Sequence, residues 1–145
     1  MSELELSWCA GFIDGEANFS LTRSKYKSGS SYRIRCKAGI RCSQATYREP
    51  LDRLQRNLGG TVIEVSRRTV TGRRVWIWSI DASNLVGRAI RMIIKYLTIK
   101  RLDALILLSF CDNTPRKWQP PSAQQKIAQY SAISNLRSLR KQVDR

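Results

Sequence analysis

The chain contains no histidine. That absence removes the usual neutral-pH general base and the commonest metal ligand, so His-ligated metal sites and His-based acid–base catalysis are both excluded. Cysteine is scarce as well: Cys9, Cys36, Cys42 and Cys111 form no C-x-x-C pair, which rules out a zinc finger. Four cysteines in 145 residues are too few for a disulfide framework. Cys36 and Cys42, six apart on a strand pattern, read as small core residues. No apolar run approaches the ~18–20 residues of a membrane span, and no charged-then-apolar leader opens the chain. The expectation is an intracellular protein with no membrane partner. Acids are few: 11 Asp and Glu face 26 Lys and Arg, for a net charge of +15. Glu3, Glu5, Asp14 and Glu16 fall within residues 1–22, where there is no base at all. A basic body with one acidic element suits a phosphate-rich polymer held around a metal site. A ribosomal-type or non-specific basic protein would share the charge but not its distribution. The cations are spread over several elements, unlike the single amphipathic helix of a membrane-surface binder.

What is present is regular. At 145 residues the chain is one domain with room for a core. Ser2 and Glu5 form a capping box that starts a helix reaching about Asp14, with Gly15 as its stop. Residues 17–23 then alternate strictly: Ala17, Phe19 and Leu21 on one face, Asn18, Ser20 and Thr22 on the other. After a turn at 28–31, Tyr32, Ile34, Cys36, Ala38, Ile40 and Cys42 alternate with Arg33, Arg35, Lys37, Gly39, Arg41 and Ser43. Four cations on one strand face repel each other unless something anionic lies across them. A solvated face would usually mix signs.

Thr46 and Glu49 read as a second capping box for a helix through Leu51, Leu54 and Leu58. A second hairpin follows over 62–80. Ile63 and Val65 are expected inward, Glu64, Ser66 and Arg68 outward, and Trp76, Trp78 and Ile80 in the core. Asp81 is expected to cap a third helix with Leu85, Ala89, Met92, Ile93 and Tyr96 on its apolar stripe. Residues 102–110, apolar nearly all round, predict a buried helix. Ser122 and Gln125 start a basic tail helix. Two α-β-β units followed by helices predict an α+β layer fold: a four-stranded antiparallel sheet, one side covered by helices, the other bare and basic.

The first helix ends oddly. A helix C-terminus already carries partial negative charge, so Asp14 and Glu16 there are unfavourable without a cation, which suggests a metal site. The segment Cys9-Ala10-Gly11-Phe12-Ile13-Asp14-Gly15-Glu16-Ala17 resembles the signature nonapeptide of the LAGLIDADG homing endonucleases. Ala10, Gly11, Ile13 and Asp14 match outright, Glu16 keeps the acid, and Cys9 and Ala17 depart from it. The αββαββα order matches the family over residues 1–112, so 1–112 reads as the endonuclease core and 113–145 as a basic helical extension of the same domain.

The resemblance implies a saddle-shaped fold and a site-specific homing endonuclease, intron-encoded, making a staggered double-strand cut in a long near-palindromic DNA site by metal-assisted phosphodiester hydrolysis. The alternatives are an intron RNA maturase, with intron RNA as partner, or a non-cleaving DNA-binding relative. A single motif implies a homodimer, with Trp8, Ala10, Gly11 and Asp14 at the contact between paired motif helices. Glu16 and the Gly15 carbonyl are the implied ligands of Mg²⁺, for which Mn²⁺ or Ca²⁺ can substitute in binding. Asp14 suits helix-end architecture better than ligation. Gln44, Arg48 and Lys100 join Glu16 as implied catalytic residues. Asn18, Ser20, Thr22, Arg33, Arg35, Lys37, Arg41, Gln44, Glu64, Ser66 and Arg68 are the candidates for major-groove contact. Lys126, Arg137, Arg140 and Lys141 of the tail suit phosphates. The family's setting would be archaeal or bacterial cytoplasm, or an organelle.

Overall fold

Two hairpins supply a single sheet. The computed structural model describes residues 2–65, 72, 74–115 and 119–143. Its elements are α1 (Glu3–Glu16), β1 (Asn18–Ser28), β2 (Ser31–Gln44), α2 (Glu49–Leu58), β3 (Thr61–Val65), β4 (Val75–Ile80), α3 (Ser83–Ile93), α4 (Arg101–Asp112) and α5 (Ala123–Val143). The strands run antiparallel in the order β1-β2-β4-β3, so the second strand of each hairpin is central. The expected α+β architecture is the one observed. Of the three expected capping boxes one forms in full: Ser122 and Gln125 bond reciprocally at 2.9 and 3.1 Å. At Ser2 only the N-cap half forms, Oγ accepting from the Glu5 amide at 3.3 Å, while the Glu5 carboxylate accepts from Arg53 and Asn57 instead. The Thr46 box does not form. The helix starts two residues later than the box requires, with Arg48 at its N-cap and Pro50 in the first turn, where a proline costs no needed donor.

The core lies between the sheet and the helices. Phe19, Ile40, Trp78 and Ile80 from the strands meet Ile13, Leu51, Leu54, Ile90, Ile93, Leu107 and Phe110 from the helices. Trp78 is fully buried, and its indole N–H donates to the Gly59 carbonyl at 2.9 Å. Gly60 makes that closeness possible. Its φ is +88°, and a Cβ there would fall 2.6 Å from the Ser79 carbonyl oxygen and 2.7 Å from Ile80 Cγ1. Left-handed strain and overpacking against backbone therefore add. Gly60→Ala is expected to cost on the order of 2–4 kcal/mol and to lower Tm in a thermal melt by on the order of 10 °C.

Several helix faces differ from their sequence patterns. In α3 the buried residues are Val86, Gly87, Ala89, Ile90 and Ile93, while Leu85 is exposed. Helix α4 buries Ala104, Leu107 and Phe110 but leaves Leu102 and Leu105 exposed, so it is covered on one side only. The second hairpin corrects the expected register. Val62 pairs with Trp78, Ile63 with Ile77 and Glu64 with Trp76. Because Trp78 faces the core, Val62 and Glu64 take the helix side, and Ile63, 56% exposed, takes the bare side.

Candidate functional site

The end of α1 is anchored by a residue 84 positions away. The Asp14 carboxylate accepts from the Thr98 amide (2.7 Å), the Thr98 hydroxyl (2.8 Å), the Ile99 amide (3.3 Å) and the Lys100 amide (2.8 Å). It thereby satisfies donors that the start of α4 leaves free. Burial alone would raise the carboxyl's pKa. The donors at Lys100, Thr98 and Ile99 outweigh that and hold it below the ordinary aspartate value of 3.8. A depressed carboxyl pKa stabilises the fold above the unfolded-state value, and the contribution is lost as pH falls through the folded value. Asp14→Asn should therefore lower stability by about 1–3 kcal/mol at neutral pH. Denaturant melts should show the deficit shrinking below about pH 4.

Lys100 acts at the same place. Its Nζ donates to the Ile13 carbonyl at 3.2 Å and to the Asp14 carbonyl. Helix α1 has no basic residue in its own last turn, so Lys100 places a cation on the carbonyls of the helix's negative end. Next to these carbonyls, Gly15 and Glu16 are exposed. Both charges act on buried Cys42, whose thiol is pushed up to about 12 by burial. Lys100 opposes that rise and Glu16 adds to it. At neutral pH Cys42 is a protonated core residue, neither nucleophile nor ligand.

Gln44 lies two residues beyond Cys42 on the same strand face, paired with Trp76. This is the helix side of the sheet. Gln44 thus lies on the helix-covered side and not on the bare face to which the sequence also assigned it. Arg48 is exposed and ion-paired with Asp52 at 3.0 Å. The structure thus gathers Lys100 and the Gly15-Glu16 end of α1, puts Gln44 on the same side, and gives Arg48's guanidinium to α2.

A cation at this end would find hard oxygen donors: one exposed carboxylate and free helix-end carbonyls, which suit Mg²⁺ or Ca²⁺. Among the described residues no three His, Cys, Asp or Glu side chains gather to complete a metal site.

The outer stripe of α1 is open. Among the described residues a Cβ at Gly11 or Gly15 would meet nothing within 4 Å, and Leu4 on the same stripe is 74% exposed. Ala10, expected at that contact, is 0% exposed and faces the chain's own core, one helical step (~100°) from Gly11. Asp14, expected there too, is spent on the 98–100 turn. Trp8 is half-buried, stacked on Phe12 at 5.4 Å, with the Arg53 guanidinium 4.0 Å over its ring. Arg53 also holds Glu5 through two bonds of 2.9 and 2.8 Å, tying α1 to α2.

On the bare face of the sheet, Asn18, Thr22, Arg33, Arg35, Lys37 and Arg41 are exposed and Ser20 is half-buried. The register sets Asn18 beside Arg41, Thr22 beside Lys37 and Tyr26 beside Arg33. Glu64 does not belong to this face; it pairs with Arg74 at 3.6 Å on the other side. Ser66 and Arg68 lie outside the described residues. Two residues join from elsewhere. Arg140 of α5 donates to Asn18 Oδ1 at 2.9 Å and to the Phe19 carbonyl, which engages on β1 a side chain expected on phosphates. Asp81 was expected to cap α3, but the N-cap is Ala82, with no side-chain bond. Asp81 instead lines a groove with Asn18, Ser20, Thr22, Lys37, Gly39 and Arg41. Continuing the alternation of Ile77 and Ser79 by one step finds it.

The model of the LAGLIDADG endonuclease family matches residues 9–111. No curated protein sequence matches the chain. Among solved structures, the homing endonuclease I-CvuI in complex with the I-CreI target superposes with a TM-score of 0.74 at 18% identity, covering 94% of this chain and 82% of that one. The archaeal intron-encoded homing endonuclease I-Vdi141I complexed with DNA gives 0.74 at 15%, covering 94% and 84%. The homing endonuclease I-TnaI gives 0.69 at 16%, covering 96% and 95%.

Proposed function

The chain belongs to the LAGLIDADG endonuclease family, and we propose that it is a homodimeric, intron-encoded homing endonuclease that makes a staggered double-strand cut in a long, near-palindromic DNA site. The observation that carries this reading is the open stripe of α1. Among the described residues a Cβ at Gly11 or Gly15 has no neighbour within 4 Å, and the stripe leads to the exposed Glu16. A second copy packed on it brings a second Glu16 beside the first, and the two halves complete one site. Residues 1–112 form the nuclease core and 113–145 its basic extension, acting on DNA in a cytoplasm or an organelle.

Glu16 and the Gly15 carbonyl are the residues that would hold Mg²⁺. When bound, the ion supplies Lewis acidity at the scissile phosphate and an activated water at neutral pH. Lys100, held on the Ile13 and Asp14 carbonyls, contributes positive charge where the phosphoryl oxygens gain negative charge. Gln44 orients water through its carboxamide. Asp14 acts through architecture, fixing the 98–100 turn so that Lys100 keeps its position. Asn18, Ser20, Thr22, Arg33, Arg35, Lys37 and Arg41 meet base edges in the major groove, where Arg and Lys match guanine O6 and N7. Exposed tail cations such as Lys126, Arg137 and Lys141 hold phosphates.

The test is cleavage of a plasmid carrying the gene's own uninterrupted insertion locus by the purified full chain. Linear product with Mg²⁺, and bound but uncut plasmid with Ca²⁺, is the expected result. Specific binding without cutting in any divalent ion would assign the non-cleaving alternative.

A further inference from the structure

The groove on the bare face contains an acid that a phosphate-binding surface has no use for. Of the acids among the described residues, Asp81 is the one that lines this groove; its other charged members are Lys37 and Arg41. Ile80 pairs with Ile40, so the next antiparallel step sets Asp81 opposite Gly39, and Gly39 in turn pairs with Ser20 on β1. A Cβ on Gly39 would lie 3.1 Å from Asp81 Oδ1 and 3.1 Å from Ser20 Oγ. Gly39 is not among the glycines with positive φ, so its backbone does not demand glycine; the space above it does. That space is a notch in the sheet floor, with the Asp81 carboxylate on one wall and the Ser20 hydroxyl on the other. Ser20 Oγ donates to the Gly39 carbonyl at 3.3 Å, which commits its proton and leaves its lone pairs as acceptors. The notch therefore presents acceptors, flanked by the donors Arg41 and Lys37.

Phosphates are acceptors and would be repelled from such a notch. In a major groove the available donors are the exocyclic amino groups of cytosine (N4) and adenine (N6). Adenine carries the acceptor N7 next to its amino group, which a carboxylate disfavours. Cytosine presents its amino group alone, and its paired guanine offers O6 and N7 to a neighbouring cation. A C·G pair thus matches an acid flanked by Arg41 and Lys37. We propose that Asp81, in the notch left open by Gly39, is a specificity-determining residue that accepts a hydrogen bond from cytosine N4 at one base pair of each half-site. This rests on the reading that the bare face lies in the DNA major groove. It also locates the base pair. Gly39 and Arg35 are four residues apart on β2, at ~3.4 Å per residue, against ~3.4 Å per base pair of DNA. The base read by Asp81 should lie about four pairs closer to the centre of the site than the one read by Arg35.

The experiment is a binding selection with Ca²⁺ on the insertion-locus site, with each position randomised in turn, for the full-length wild type, Asp81→Asn, Asp81→Ala and Arg35→Ala. The wild type should favour cytosine about 5- to 150-fold at the inner position. Both Asp81 variants should lose that preference there and keep it elsewhere, with an unchanged Tm, since Asp81 caps no helix. Arg35→Ala should relax a different, outer position. A wild-type profile for both Asp81 variants would overturn the proposal, as would an adenine preference at the inner position or a uniform gain in affinity for all sequences. If the wild type selects no sequence at all, the major-groove reading itself fails, which is a different result from its Asp81 variants matching it.

Discussion

Glu16→Gln should lower the rate of plasmid cleavage with Mg²⁺ by two orders of magnitude or more, while affinity for the same site with Ca²⁺ changes by no more than about threefold. A lost ligand charge at a phosphoryl-transfer site is worth several kcal/mol, and each ~1.4 kcal/mol is tenfold in rate. The carboxylate is exposed at the last turn of α1, and among the described residues nothing hydrogen-bonds to it. Substitution therefore removes no folding interaction, and the thermal melt should be unmoved. That separation makes the result interpretable: a loss of cutting cannot be attributed to a loss of fold. Cutting at the wild-type rate with Mg²⁺ would remove Glu16 from the chemistry and the proposed mechanism with it.

Gly11→Leu should convert the proposed homodimer to a monomer in sedimentation velocity at micromolar concentration and abolish the proposed double-strand cutting. Two opposed effects give the experiment its sign. Among the described residues a Cβ at position 11 meets nothing within 4 Å, and leucine in place of a helical glycine raises helix propensity by up to about 1 kcal/mol. A solitary chain should become slightly more stable. If two α1 helices pack through this stripe, the added side chains force them apart, as they do at any close contact built on small residues. A more stable monomer that no longer dimerises is the expected outcome, and Gly11→Ala should fall between. A dimer of unchanged strength places the interface elsewhere.

These arguments draw on parts of the chain that the sequence exposed to different degrees. The first hairpin was legible because Phe19, Leu21, Ala38, Ile40 and Cys42 alternate cleanly with polar partners, so period and face were set together. The second was not. Val62, Ile63 and Val65, with Val75 to Ile80, are apolar on both faces, and only the pairing of Val62 with Trp78 decides which side is covered. Glu64 went to the wrong face for that reason. At Asp81, the strong preference of aspartate for helix caps obscured the plain continuation of a strand. The partners of Asp14 were out of reach altogether, because a bond to residues 98–100 leaves no local trace in a 14-residue helix. The motif showed that the end of α1 matters. It did not show that Lys100 holds both of its last buried carbonyls.

The sheet is lopsided. β1 and β2 pair from Asn18 to Ser28, but β4 joins β2 only from Ile40 to Gln44. Beyond Gly39 the hairpin is a two-strand ribbon in which Arg33, Arg35 and Lys37 are exposed, as are Tyr32 and Ile34 behind them. Substitutions at such exposed positions usually change fold stability by less than about 0.5 kcal/mol. The segment proposed to address the outer bases can therefore be rewritten with almost no effect on the buried core or on the Glu16 end of α1. Retargeting and folding are separable tasks in this molecule, assigned to opposite ends of one hairpin.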